Sequence, residues 1–288
     1  MGYFFALLTI LFFGSWPVPT KTLKIDPIVQ SFWLTVGHCI LSLSIFLFVI
    51  EPISISQMVF PFIGGVLWAI GITAGYVAIK HLGISRAVAV WMPVIIIVSV
   101  LWGLVYFGEI TALSVQKLIL NFVAVVCLIS AAVTVVLSTK TEQKSLNVPI
   151  GVFAAITLGI FHGSFFVPMR VSALPVFVTF VPFTVGMVLT MTFFVLYKRI
   201  SVIYELKAVA RMLLSGLLVG AGNYTAVLTT NYLGVAQGYP LTQMAIIVNT
   251  LWGMFFFKEV TTRSGKVFIA FSICVALLGV LILNFSRA

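Results

Sequence analysis

The stretch Gly14-Ser15-Trp16-Pro17-Val18-Pro19-Thr20-Lys21 returns 149 residues later as Gly163-Ser164-Phe165-Phe166-Val167-Pro168-Met169-Arg170. Each copy lies near the end of a long apolar run, and each closes on a basic residue. Apolar composition alone does not write Gly-Ser-x-x-Val-Pro-x-(Lys/Arg) twice. Further landmarks recur at almost the same spacing. Gly65-Val66-Leu67-Trp68-Ala69-Ile70-Gly71 pairs with Gly216-Leu217-Leu218-Val219-Gly220-Ala221-Gly222 at an offset of 151. Leu101-Trp102-Gly103, followed by Gly108-Glu109, pairs with Leu251-Trp252-Gly253, followed by Lys258-Glu259, at an offset of 150.

The copies sit in a chain of 288 residues, 62% hydrophobic and 8% charged. A soluble domain carries roughly 25% charged residues, and no water-facing surface is built from so few. The apolar runs cover about 3–21, 29–50, 57–79, 86–107, 115–138, 149–170, 176–197, 209–230, 235–257 and 265–285. A spanning helix needs roughly 20 apolar residues. Lipid offers the backbone no hydrogen bonds, so spanning segments are helices or closed barrels. The short alternating segments of a barrel are missing from this sequence. The repeat covers five runs, and five is odd, so the second copy enters the membrane from the opposite side. The expected fold is all-α and integral to the membrane: ten transmembrane helices as two inverted five-helix repeats, residues 1–140 and 149–288.

Charge orients this arrangement. Assigned loop by loop, thirteen of the sixteen Lys and Arg residues fall on one side, Lys21, Lys24, Lys80 and Arg211 among them. Lys117, Arg170 and Arg287 fall on the other. The positive-inside rule places the rich side in the cytoplasm, so both termini are expected outside, in a multi-pass protein of the plasma membrane. The first run has no basic leader, and Lys21 and Lys24 follow it; that pattern argues against a cleaved signal. The net charge of +10 is explained by these topology signals, without a nucleic-acid partner. Cys39, Cys127 and Cys274 each sit inside apolar sequence and read as packing residues. No metal or cofactor motif is present. The lipid bilayer is the expected surrounding, and self-association as a homodimer is left open.

Inverted repeats are characteristic of secondary transporters, which rock one half against the other about a midplane site. In that setting Pro17, Pro19 and Pro168 remove backbone donors near the ends of runs 1 and 6. They mark either an unwound gate segment, flanked by Ser15 and Ser164, or a terminus that frays at the interface. Glycines four apart, Gly71/Gly75 and Gly216/Gly220, fit close helix packing.

On these residues the chain resembles the drug/metabolite transporter superfamily, within it the glucose/ribose uptake porters and rhamnose–proton symporters. The matching elements are Gly14 to Lys21, the Gly-Gly-Val-Leu-Trp-Ala-Ile-Gly stretch at 64–71, Gly220-Ala221-Gly222-Asn223, Leu241-Thr242-Gln243-Met244, and the Gly108-Glu109 and Lys258-Glu259 ends. The resemblance covers the whole chain. It implies a solute transporter of ten helices. One departure stands out. Such porters often carry an amide after the Trp-Ala-x-Gly turn, where this chain has Ile72; the amide occurs only in the second copy, as Asn223.

The side chains available mid-span narrow the cargo. Every acidic residue lies in or beside a loop. Small drug-exporting relatives hold a carboxylate in the first helix, and run 1 has none, so cationic drugs are an unsuitable cargo. What remains mid-span is neutral: Asn223, Thr242, Gln243 and Asn249, with the aromatic residues Trp68 and Trp91 nearby. Thr242 and Asn249, seven apart, share a face of a continuous helix. Amides and hydroxyls match the donors and acceptors of a polyol, and rings cover its apolar C–H face. The bland alternative is that these groups only bridge helices.

His162 interrupts the repeat, since its counterpart is Phe13. An ionisable group inside a span is a functional candidate, so His162 is the candidate for coupling to a proton. The alternative is a neutral imidazole bonded to a backbone carbonyl. Glu109 and Glu259 sit at helix ends in both copies and are candidates for a gating ion pair, or are simply solvated.

The expected function is a secondary active or facilitative transporter of a small neutral solute, a monosaccharide first, working by alternating access. The alternative cargo is amino acids or other small metabolites for export. A membrane enzyme would need clustered acids or histidines, and none cluster within a span. Catalytic residues are therefore not expected.

Overall fold

The structure is a computed structural model and describes residues 1–49, 54–82, 84–108, 114–138, 147–256 and 263–285. Among these residues all regular structure is helical: α1 (Gly2–Ser15), α2 (Pro27–Phe46), α3 (Ile55–Leu82), α4 (Ile84–Leu101), α5 (Val115–Ser138), α6 (Val148–His162), α7 (Phe166–Val171), α8 (Val176–Lys198), α9 (Leu206–Leu233), α10 (Val235–Thr242), α11 (Ala245–Leu251) and α12 (Arg263–Phe285). A π-helical turn extends α4 over Trp102–Tyr106, and another extends α11 over Trp252–Phe256. Five stretches are long and apolar enough to cross a membrane: 27–46, 55–82, 148–171, 176–198 and 206–233. The other apolar runs hold shorter or interrupted helices.

The interruptions follow the chemistry of the sequence. Pro17 has no N–H to continue α1, so the helix ends at Ser15 and the chain proceeds in tight turns. Val18 N donates to Ser15 O at 3.1 Å, Thr20 N to Pro17 O at 3.2 Å and Leu23 N to Thr20 O at 2.9 Å. After α6, Ser164 N donates to Phe161 O at 3.2 Å and Val167 N to Ser164 O at 3.0 Å before α7 begins. Asp26 and Asn147 start α2 and α6. The side chain of each accepts a hydrogen bond from the first turn, from Ile28 N at 2.8 Å and Ile150 N at 3.2 Å, as N-caps do.

The surface is inverted relative to a water-soluble protein. Phe4, Leu7 and Leu11 expose one stripe of α1, while Gly2, Ala6 and Thr9 are buried on the opposite side. Leu189, Phe193 and Leu196 expose a stripe of α8. Polar side chains go inward instead: Thr35, His38, Thr184, Asn223 and Thr229 are fully buried. That partition suits hydrocarbon outside and hydrogen-bonding partners inside.

Contacts recur between the two halves of the chain. α1 packs on α9 and α6 on α3; α2 packs on α9 and α8 on α3; α1 packs on α11 and α6 on α4. The details match as well. A Cβ at Gly65 would overlap the Phe183 carbonyl of α8, and one at Gly216 would overlap the Leu34 carbonyl of α2. A Cβ at Gly71 would strike the His162 ring, and one at Gly222 the Phe13 ring. Trp102 Nε1 donates to Ser164 Oγ at 2.9 Å, and Trp252 Nε1 to Ser15 Oγ at 2.9 Å.

Candidate functional site

The broken ends of α1 and α6 leave backbone carbonyls without helical donors, and other helices supply them. Ser215 Oγ of α9 donates to Trp16 O at 2.6 Å, and Arg211 Nε to Pro19 O at 2.6 Å. Asn249 Nδ2 of α11 reaches Gly14 O at 3.4 Å. On the other side, Tyr239 Oη of α10 donates to His162 O at 2.7 Å. These bonds splay the helix ends around an internal cavity of about 280 Å³. That volume stands near the lower bound of the roughly 300–1,000 Å³ found for sites of drug-sized ligands, and suits a small solute.

Five of the six residues singled out for solute contact line the cavity: Trp68, Trp91, Asn223, Gln243 and Asn249. Thr242 lies behind them. It is buried, donates to Tyr239 O at 2.6 Å and accepts from Gln243 Nε2 at 3.1 Å. Its spacing from Asn249 would place both on one face of a continuous helix, but the chain turns between α10 and α11. Gln243 N bonds Pro240 O at 3.1 Å and Met244 N bonds Leu241 O at 3.1 Å, so the two residues face different surroundings. Of the candidate gating and coupling residues, His162 and Pro17 line the cavity. Ser15 and Ser164 hold the two tryptophan indoles described above. The Pro19 carbonyl is taken by Arg211, and the Pro168 carbonyl accepts from Ser172 N at 3.1 Å. Glu109 and Glu259 lie outside the described residues.

Trp68 is the centre of the wall. Its indole stacks on the His162 ring with centroids 5.1 Å apart and planes 20° apart, and His38 meets its edge at 6.4 Å. His162 Nε2 lies 3.2 Å from the Trp68 carbonyl. A carbonyl only accepts, so Nε2 carries the proton of this ring. Phe165 and Tyr239 continue the aromatic wall, with Phe166 packed on Tyr239 at 4.7 Å. Apart from Lys21 at one end, the polar contribution comes from neutral side chains. Tyr76 lines the cavity with its hydroxyl buried, and Asn223 Oδ1 is buried without a hydrogen-bond partner.

The two ends of the cavity differ: exposed polar residues border one, the wet end, and buried rings border the other, the dry end. Pro17, Val18, Thr20, Lys21 and Leu23 line it towards the α1–α2 connection, where Thr22, Lys24 and Asp26 are exposed. At the far end Phe165 and Phe166 are buried, and beyond them the Arg170 guanidinium lies 4.4 Å from the centre of the Phe107 ring.

Sequence reasoning passed over Trp16, Gln30, Tyr76 and Trp252, which line the cavity. His38 was passed over as well. The signal for His38 was its mid-span position alone; its partner Asn223 is 185 residues away.

A helical bundle with outward-facing apolar stripes and an internal, aromatic-walled cavity is the architecture of a membrane transport protein. The chain matches the Sugar transport protein family over residues 4–286 and belongs to it. It is 24% identical over 294 residues to a putative sugar uptake protein of Enterococcus faecalis, covering 100% of both chains. Against the glucose uptake protein GlcU of Bacillus subtilis it is 24% identical over 294 residues, covering 100% of this chain and 99% of the relative. A probable glucose uptake protein GlcU of Bacillus cereus is 25% identical over 267 residues, 91% of each. A solved crystal structure shares the fold, with a TM-score of 0.75 and 15% identity over 100% of this chain and 99% of that one.

Proposed function

We propose that this protein carries a monosaccharide across the plasma membrane by alternating access, and that Trp68, Trp91, Asn223, Gln243 and Asn249 contact the solute. The observation that carries this reading is the cavity itself. Its walls pair flat aromatic faces with neutral hydrogen-bonding groups, as an uncharged polyol requires. The relatives named as sugar and glucose uptake proteins point to the same cargo. Family membership makes the protein a transporter rather than an enzyme.

The architecture belongs to the same proposal: ten spans in two inverted repeats, residues 1–140 and 149–288. The support is the recurrence of helix pairs, glycine contacts and Trp–Ser hydrogen bonds at offsets of 149 to 151. With both termini outside, the wet end lies on the Lys- and Arg-rich cytoplasmic side, so this conformation is open inward. Pro17, Pro19 and Pro168 then mark the segments that move, and Ser15 and Ser164 the clasps that hold them. His162, in the wall beside Trp68, is the proposed carrier of a coupling proton.

Flux in proteoliposomes tests the reading: labelled sugars and amino acids, each with and without a pH gradient. Sugar uptake is the expected result. Flux of amino acids with none of any sugar would replace the cargo. Sugar flux whose pH dependence survives His162→Ala would remove His162 from coupling.

A further inference from the structure

Asn223 borders the cavity and has no exposed surface. Its Nδ2 lies 3.0 Å from His38 Nε2. An amide nitrogen only donates, so Nε2 must present a lone pair and the ring proton sits on Nδ1. Ser42 Oγ stands 3.3 Å from that Nδ1, in place to accept it. The chain of donors runs in one direction, from Asn223 through His38 to Ser42. Asn223 Oδ1 is left over, buried and without a partner in the protein. An acceptor in that position costs stability unless something else fills it.

The molecule contains its own control. The positions equivalent to His38 and Asn223, by the offsets of 149 and 151, are Met187 and Ile72. Both are buried, at 0% and 4% exposure, in the matching α8–α3 contact. The helix pair therefore packs without a polar couple, and replacing both members of a buried hydrogen bond by apolar groups is close to neutral. Packing alone therefore does not require the couple at the α2–α9 contact.

We propose that His38 is a positioning residue: it holds the Asn223 amide so that Oδ1 is the acceptor at the cavity, which makes the site select a solute hydroxyl that donates. The selection rests on the sugar-transport reading; the geometry of the couple does not. His38 is enclosed by the Phe180 and Phe183 rings at 5.7 Å each and by the edge of Trp68, so the imidazole has little freedom to turn.

Two measurements test this. The first needs no solute: nitrogen-15 NMR of histidine-labelled protein in nanodiscs, with His38 assigned by comparison with His38→Gln. The Nδ1-protonated tautomer is expected. An Nε2-protonated His38 would reverse the amide and overturn the proposal. The second uses D-glucose with its singly deoxy and singly fluoro-deoxy analogues. Fluorine does not donate, so in the wild type deoxygenation and fluorination at one ring position should weaken uptake alike, raising KM about tenfold, the factor that 1.4 kcal/mol represents. His38→Met should abolish that discrimination by raising KM for D-glucose more than it lowers kcat. His38→Gln, whose Oε1 accepts from Nδ2, should recover it. The double variant H38M/N223I should fold and unfold thermally like the wild type yet lack the discrimination. A double variant that fails to fold, or one that keeps the discrimination, overturns the proposal. Wild-type protein that moves no sugar would sink the cargo assignment, while the tautomer result still decides how the amide is held.

Discussion

At the wet end of the cavity, the α1 backbone is held by side chains of α9: Ser215 bonds Trp16 O and Arg211 bonds Pro19 O. At the dry end, the equivalents of Ser215 and Arg211 on α3 are Gly64 and Phe60. There the backbone itself closes in, and a Cβ on Gly64 would stand 2.7 Å from Phe165 O. The two ends share a helix break and a Trp–Ser hydrogen bond. They differ in how the facing helix finishes the break: α9 does so with hydrogen-bonding side chains, whereas α3 packs closely under Phe165 and Phe166 and a single side chain of α10, Tyr239, bonds the His162 carbonyl. The difference between the ends therefore lies in side chains set on matching helix contacts.

The largest effect should break the common plan on both sides equally. Gly65→Leu and Gly216→Leu each drive a side chain into a facing backbone carbonyl that cannot give way, so the helix pair cannot close and the cost exceeds ordinary overpacking. Neither variant should give a monodisperse peak on size exclusion; a well-folded protein in one case only would show that the contacts are not equivalent. Trp68→Ala comes next, at about 3–5 kcal/mol for a buried aromatic residue. It should lower the thermal midpoint far more than Val219→Ala, its counterpart, and should abolish sugar uptake.

Ser215→Gly gives the wet end the residue of the dry end. It removes one hydrogen bond, about 1 kcal/mol. A modest fall in thermal midpoint with an altered balance of inward- and outward-open forms, read by cysteine accessibility at the α1–α2 connection, would sharpen the comparison; unchanged accessibility would break it. The smallest effect is expected at the Trp–Ser bonds, about 0.6 kcal/mol for an average polar contact in a membrane protein. Ser164→Ala should cost more than Ser15→Ala, because the Trp102–Ser164 bond is partly buried and the Trp252–Ser15 bond is exposed. Matching thermal shifts would count against a difference between the ends.

Much of this was legible in the chain. Pro17 and Pro168 announced the helix breaks, because a missing N–H acts locally. Trp68 and Asn223 stood out because they sit in or beside a repeated motif without being repeated themselves. Thr242 was misplaced beside Asn249, since spacing fixes a face only while a helix stays unbroken. His38 and Tyr76 were passed over because their significance lies in partners and spaces supplied by distant segments. The lone acceptor on Asn223 was invisible for the same reason: a sequence lists polar atoms but not which of them are left over.

The sequence by itself determined that this chain lives in a membrane, that it is helical, and that several of its motifs recur about 150 residues apart, since apolar run length, charge distribution and motif spacing are all properties along the chain. Only the tertiary structure decided which residues border each end of the cavity, which of two matching helix contacts carries a polar couple, and which atom of one amide lacks a partner. Those depend on contacts across some 185 residues of chain. There, small differences between equivalent side chains are resolved by the burial and geometry of the neighbours they meet.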